Sequence, residues 1–273
     1  MKYKLAVIDI DGTLLNDQKE ITKHTRSAIV KAQQLGIRIA LASGRPSRGV
    51  KPIASELDLG SYGGYYLSYN GSKIFEAKDH KTIFQKHVDV DIVPFIQRQA
   101  KKNGLAIFTY NKGILLTDSP DNQHIRQEAE LNGMEIVYSE NLSEDIDFDI
   151  HKIMLVGDPS VLLSLESSLQ KRLNGTANVF CSEPFFLEFT PDNIDKANTI
   201  GVLLDTLNIK PEEMLVIGDG VADVKMLQMA GLSIAMGNAQ DSVKMCADIT
   251  TLSNNEEGVA IALEKALLTE LPP

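Results

Sequence analysis

Two aspartates stand two residues apart at the end of an apolar run, Leu5-Ala-Val-Ile-Asp9-Ile-Asp11-Gly-Thr13. Leu5–Ile8 has the length and β-branched content of a buried parallel strand. Side chains at i and i+2 of an extended chain point to the same side. Asp9 and Asp11 are therefore expected to leave the carboxyl end of that strand together, in the crevice where open α/β sheets bind ligands. Adjacent carboxylates repel unless a cation or a proton lies between them. The pair suits a hard divalent ion combined with a nucleophile or an acid–base group. Asp and Gly are also turn formers, and taken alone an Asp-x-Asp is more often a simple turn.

Further polar residues follow other apolar runs. Asp219 stands just past Met214–Ile217, and Asp223 lies one helical turn beyond it, so both can reach one ion. Acidic side chains with a backbone carbonyl and waters make the oxygen-rich shell that Mg²⁺ requires. Ser43 and the Gly44 amide follow Ile37–Ala42 and can donate to phosphate oxygens at a helix start. Lys196 supplies a cation for a phosphoryl group or a partner for Asp9. Each has an ordinary alternative: a helix cap at Ser43, an exposed helix lysine at Lys196, first-turn acids at Asp219 and Asp223. Arg45 and Asn70 are candidates to reach substrate, against a surface arginine and a hairpin turn. Glu188, between Leu187 and Phe189, reads either as an alternating exposed residue or as a minor site residue.

The elements that must position these residues form a β-α-β-α-β-β series up to about residue 84. Ile21, Thr25, Ala28, Ile29, Ala32 and Leu35 fall at helical spacing, with Thr22 as N-cap and Gly36 as stop. Pro46 opens the next helix. Asn70-Gly71 marks a hairpin between Tyr65–Ser68 and Ser72–Phe75. From there to about residue 189, adjacent short strands alternate with helices in the manner of an α+β module. Strand–helix alternation resumes at Ile194. The expected fold is α/β: a Rossmann-like doubly wound core, residues 1–84 and 190–273, with an inserted cap domain, residues 85–189.

Composition narrows the function. The chain has 273 residues and a net charge of -10, which disfavours nucleic acid and anionic membrane surfaces as partners. Two cysteines, Cys181 and Cys246, lack the paired spacing of a disulfide framework or zinc site. The N-terminal apolar run is too short for a signal peptide, and no stretch approaches a membrane span. A cytoplasmic protein is expected.

Asp9-Ile-Asp-Gly-Thr-Leu-Leu, Leu41-Ala-Ser-Gly-Arg-Pro, Lys196 and Gly218-Asp-Gly-x-x-Asp-x-x-Met-Leu227 together resemble the four ordered motifs of the haloacid dehalogenase superfamily. The similarity is greatest to its Cof-type phosphatases, the type IIB branch with a large C2 cap between the second and third motifs. Phe185-Phe-Leu-Glu-Phe, Tyr69-Asn-Gly-Ser and Asn254-x-Glu-x-Gly-Val259 are similar to the same branch. The resemblance implies Asp9 as the nucleophile on phosphorus and Asp11 as general acid, then base. It implies Mg²⁺ held by Asp9, the Asp11 carbonyl and Asp219, with Asp223 in support. It places the phosphoryl group against the Ile10 amide, Ser43, Gly44 and Lys196.

Three positions depart from the family pattern. Ala222 stands where Asn usually precedes the last acidic residue. The loss of such a contact costs ~1–3 kcal/mol of transition-state stabilisation, the range for hydrogen bonds to charged groups. Ala197 replaces a common Gly, and Asn193 replaces a turn Gly that Asn can mimic. The expected activity is Mg²⁺-dependent hydrolysis of a small phosphorylated metabolite, a sugar phosphate, through an aspartyl-phosphate. The rival expectations are a sugar phosphomutase and a phosphometabolite-binding regulatory protein with weak catalysis.

Overall fold

The computed structural model describes residues 2–268. In chain order its strands are β1 (Leu5–Asp9), β2 (Arg38–Ala42), β3 (Tyr65–Ser68), β4 (Lys73–Glu76), β5 (Thr82–Gln85), β6 (Ala106–Asn111), β7 (Ile114–Thr117), β8 (Glu135–Tyr138), β9 (Ile153–Val156), β10 (Ala177–Glu183), β11 (Phe186–Pro191), β12 (Met214–Gly218), β13 (Leu232–Ala235) and β14 (Ile249–Thr250). The helices are α1 (Lys23–Gln34), α2 (Ser47–Glu56), α3 (Val93–Lys102), α4 (Gln123–Leu131), α5 (Leu142–Asp145), α6 (Pro159–Arg172), α7 (Lys196–Leu207), α8 (Val224–Gln228), α9 (Asp241–Lys244) and α10 (Gly258–Leu268).

The chain divides into two compact units. The first comprises residues 1–44, 50–84 and 195–273, and the second 45–49 and 85–194. The sequence places the return crossing at 189/190, whereas the contacts place it at 194/195. Strand β11 runs on through Pro191, which pairs with Ala177, and the Asn178 amide donates to the carbonyls of Pro191 and Ile194.

One sheet builds the first unit, in the order β14-β13-β12-β1-β2-β3-β4-β5. Its centre is parallel, and the β3–β4 hairpin is antiparallel. Alternation along the strands splits the core between two faces. Ala6, Ile8, Ile39, Leu41, Leu215 and Ile217 pack with α1, α2 and α10 residues such as Ile29, Ile53 and Leu263. Leu5, Val7, Ala40, Ala42, Met214 and Val216 pack on the other face with α7 and α8 residues such as Ile200, Leu203 and Met226. Central strands buried on both faces explain why they read as unbroken apolar runs. Helix α1 begins where expected, with the Thr22 side chain accepting from the Thr25 amide. Gly36 follows it at φ 91.

The second unit has a six-stranded sheet, β10-β11-β9-β6-β7-β8, antiparallel except for the β7–β8 pair. One face packs Ile107, Ile153, Leu155, Leu187 and Phe189 against α3 and α6 residues such as Ile96 and Leu162. Phe108, Lys152, Met154, Phe186 and Glu188 have the opposite parity along those strands. The fold is the mixed α/β arrangement the sequence leads one to expect, a doubly wound core with an inserted mixed domain.

Candidate active site

Strand register assembles the site in the first unit. Ile8 pairs with Ile217 and Asp9 with Ala42, while Ala42 pairs with Leu67. The carboxyl ends of β1, β2, β3 and β12 thus fall on one edge, with Asp9, Ser43, Ser68 and Asp219 at or just beyond them. Asp9 shares the parity of Leu5 and Val7, so its side chain lies on the face covered by α7. Lys196, the first residue of α7, meets it there.

The Lys196 ammonium is buried. It donates to Asp9 Oδ1 at 2.5 Å and to Asp223 Oδ1 at 2.7 Å. The second Asp223 oxygen accepts the main-chain amides of Asp219 and Gly220 at 3.1 and 3.0 Å. Asp223 thereby braces the loop that carries Asp219 and anchors the lysine at the same time. Asp219 Oδ1 accepts a hydrogen bond from the Thr13 hydroxyl at 2.6 Å. Gly12 packs so closely on Asp219 that a Cβ there would lie 2.9 Å from the carboxyl carbon, and its φ of 81 also favours glycine.

Asp9, Asp219 and Asp223 offer carboxylate oxygens all within 4.8 Å of one another. Burial pushes the Asp9 carboxyl well up, Asp223 and then Asp219 add to the rise, and Lys196 opposes it. Asp219 is raised chiefly by burial, against the Thr13 hydrogen bond. For Lys196 burial alone disfavours the charge, but Asp223 and Asp9 outweigh it and hold the ammonium protonated. Three carboxylates against one ammonium leave an excess of negative charge, which fits an all-oxygen site for a hard divalent cation. Asp9 and Asp219 would supply ligands. The Asp223 oxygens are already engaged, as a supporting residue's would be.

Asp11 differs from the expectation that it would leave the strand beside Asp9. Strand β1 stops at Asp9, and Asp11 lies in a turn bridged to Leu15. Its carboxylate pairs with the Lys19 ammonium at 2.9 Å, and it is not one of the three clustered acids. Ile10 is fully buried, with its carbonyl accepting from Leu15. Ser43 is buried at the end of β2, and Asn70 donates its amide to the Ser43 carbonyl at 3.0 Å. The Asn70 side chain lies against Gly44, where a Cβ would come within 2.9 Å of its Oδ1. The Asn70-Gly71 turn is a tight one with positive φ at Tyr69, Asn70 and Gly71. It rests on the start of α7, leaving no room for a Cβ at Gly71 against the Asp195 carbonyl. Arg45 is buried and groups with the second unit.

Sequence reasoning missed Thr13 and Lys19. Thr13 adjoins Gly12 in the first motif, so its position was a usable signal. Lys19 gave none, because its place depends on a left-handed turn at φ 62 held by the Asn16 side chain. In the second unit Glu188 is not exposed: it is buried and pairs with Lys152 at 3.3 Å.

A family model of haloacid dehalogenase-like hydrolases matches residues 6–263. The chain belongs to the haloacid dehalogenase superfamily. Within it, a haloacid dehalogenase-like hydrolase from Bacteroides thetaiotaomicron is 42% identical in sequence, with a TM-score of 0.92 over 97% of this chain and 99% of that one. The 5-amino-6-(5-phospho-D-ribitylamino)uracil phosphatase YcsE of Bacillus subtilis is 30% identical, over 97% of this chain and 96% of the relative. The subclass IIB sugar phosphatase BT4131 has the same fold, with a TM-score of 0.82 at 23% identity over 97% of this chain and 99% of that one.

Proposed function

We propose that this haloacid dehalogenase-family hydrolase is a Mg²⁺-dependent phosphatase of small phosphorylated metabolites, sugar phosphates in particular, acting through an aspartyl-phosphate on Asp9. The observation that carries the reading is the buried Lys196 ammonium shared by Asp9 and Asp223 beside Asp219. A purely binding site has no need of a carboxylate poised this way. The names of YcsE, a phosphatase of a phosphoribityl compound, and of BT4131, a sugar phosphatase, support the substrate class.

In the first half-reaction an Asp9 oxygen bonds to phosphorus as the ester P–O bond breaks, and Asp11 gives its proton to the leaving alkoxide. In the second, Asp11 takes a proton from the water that attacks phosphorus, and Asp9 is released as carboxylate. Lys196, the Ile10 amide, Ser43 and the Gly44 amide hold the phosphoryl oxygens, with Arg45 and Asn70 directed to substrate. Lys196 is protonated for this purpose, and its charge offsets repulsion between Asp9 and the incoming phosphate. Asp9, the Asp11 carbonyl and Asp219, with Asp223 in support, would hold Mg²⁺, which would supply Lewis-acid stabilisation of the phosphoryl group. The second unit, residues 45–49 and 85–194, is the cap that chooses the leaving group. The protein works in the cytoplasm and takes neither nucleic acid nor membrane as partner.

A screen of phosphorylated metabolites for phosphate release tests this reading. Release from sugar phosphates in Mg²⁺, abolished by EDTA and restored by added Mg²⁺, is expected. Full activity in EDTA would contradict the metal assignment, and inactivity towards every sugar phosphate would contradict the substrate class.

A further inference from the structure

The C-terminal motif Asn254-x-Glu-x-Gly-Val259 takes no part in the chemistry above, yet its first residue reaches the turn that follows Asp9. We propose that Asn254 and Asn238 form an amide clamp that positions the Gly12–Leu15 turn for phosphoryl transfer; the proposal rests on the phosphatase reading. Asn238 Nδ2 donates to the Gly12 carbonyl at 2.8 Å. Asn254 Nδ2 donates to the Leu15 carbonyl at 3.1 Å. The two are joined directly, since the Asn254 main-chain N–H donates to Asn238 Oδ1 at 3.0 Å.

Between these two anchor points the turn bonds back to the nucleophile strand. Leu14 donates its amide to the Asp9 carbonyl at 3.2 Å and Leu15 to the Ile10 carbonyl at 3.0 Å. The clamp therefore holds the Gly12 and Leu15 carbonyls of a turn whose Leu14 and Leu15 amides bond back to Asp9 and Ile10. Gly12 is confined from its other side by Asp219, and the next residue, Thr13, donates to that carboxylate. A shift at Gly12 would carry Thr13 off Asp219.

The clamp's own base is fixed. Asp17 and Asn255 exchange hydrogen bonds in both directions, at 3.1 and 2.9 Å, and Asn254 Nδ2 also donates to Asp17 Oδ1 at 3.1 Å. Those amides hold the Asp17 carboxyl below its usual range. Glu257 accepts the hydroxyls of Thr22 and Thr25 at the start of α1. The Gly258 amide closes the turn onto the Ser253 carbonyl at 3.0 Å. Side-chain amides suit this duty because each carries donors and an acceptor at once. A carboxylate of the same shape keeps the acceptor and loses the donors.

The test is steady-state kinetics of Asn238→Asp, Asn254→Asp and Asn254→Ala on p-nitrophenyl phosphate in saturating Mg²⁺. The folded fraction at the assay temperature is measured by circular dichroism, and kcat is expressed per folded molecule. Asn254→Ala is included because Asn254→Asp sets a second carboxylate beside Asp17. Each variant is expected to lose about tenfold in kcat, or ~1.4 kcal/mol, with KM within about twofold of wild type. Gln33→Ala removes a buried side chain that donates to the Leu57 carbonyl in the same unit. It should lower the melting temperature with kcat per folded molecule unchanged. A kcat per folded molecule within about twofold of wild type in both Asn254 variants would overturn the clamp. Wild-type cleavage of p-nitrophenyl phosphate without cleavage of any sugar phosphate would contradict the substrate class alone and leave this comparison intact.

Discussion

Lys196 is enclosed by Asp9 and Asp223, so one ammonium serves the nucleophile and the brace of the Asp219 loop together. Burial would disfavour a lone charge here; the two carboxylates reverse that balance. Ala222 sits within this frame, exposed in the Val221–Asp223 turn and next to the braced Asp223. If the phosphoryl group binds as proposed, replacing Ala222 by Asn adds a donor beside it without disturbing the core. Ala222→Asn should raise kcat/KM on sugar phosphates about tenfold, ~1.4 kcal/mol of transition-state stabilisation. Steady-state kinetics on several substrates checks this, and an unchanged or lower value on all of them would show that Ala222 does not limit turnover. Asp9, Lys196, Asp219 and Asp223 were legible because each follows an apolar strand or opens a helix. The Asp11–Lys19 pair was not, because it arises only once the chain has turned at Gly12 and again at Lys19.

At the scale of elements, parity decides what each strand end offers. Odd residues of β1 face α7, so Asp9 meets the lysine that opens that helix; a one-residue slip of register would exchange the two faces. The same alternation places Glu188 of β11 opposite in parity to Leu187 and Phe189, where it pairs with Lys152 in a buried setting. The Lys152 ammonium also lies over the Tyr110 ring, 5.6 Å from its centre. Breaking a buried pair leaves an uncompensated charge, whereas replacing both members with apolar residues need not destabilise. Lys152→Met should therefore cost about 3–5 kcal/mol, and the Lys152→Met/Glu188→Leu double variant much less. Urea unfolding followed by circular dichroism measures both, and equal losses would contradict the pairing argument. Alternation in Phe185–Phe189 leaves Glu188 either exposed or in a site, because sequence shows parity without showing what covers a face. Edge strands such as β5, β8 and β14 also escaped the sequence reading, since polar residues such as Gln85, Glu135 and Thr250 interrupt the apolar runs that reveal central strands.

For the whole molecule, the acid cluster links stability to pH and metal. The Asp9 and Asp219 carboxyls are raised in the folded protein, first by burial and then by neighbouring carboxylates. The folded state thus binds protons more tightly than the unfolded chain at these groups. Their contribution to stability falls as pH rises from the ordinary carboxylate value, about 4, through the raised values. A divalent cation held by these carboxylates would offset that loss. The rise in melting temperature on adding Mg²⁺ should be larger at about pH 7.5 than at about pH 5; calorimetry showing an equal or reversed effect would contradict the cation assignment. Asp9 is proposed to be the residue that takes the phosphoryl group. Rapid quenching in acid during turnover, followed by mass spectrometry of the peptide that contains Asp9 and Asp11, tests it directly. Phosphate is expected on Asp9 and absent in Asp9→Asn. Phosphate on any other residue, or an Asp9→Asn protein that still turns over, would contradict it.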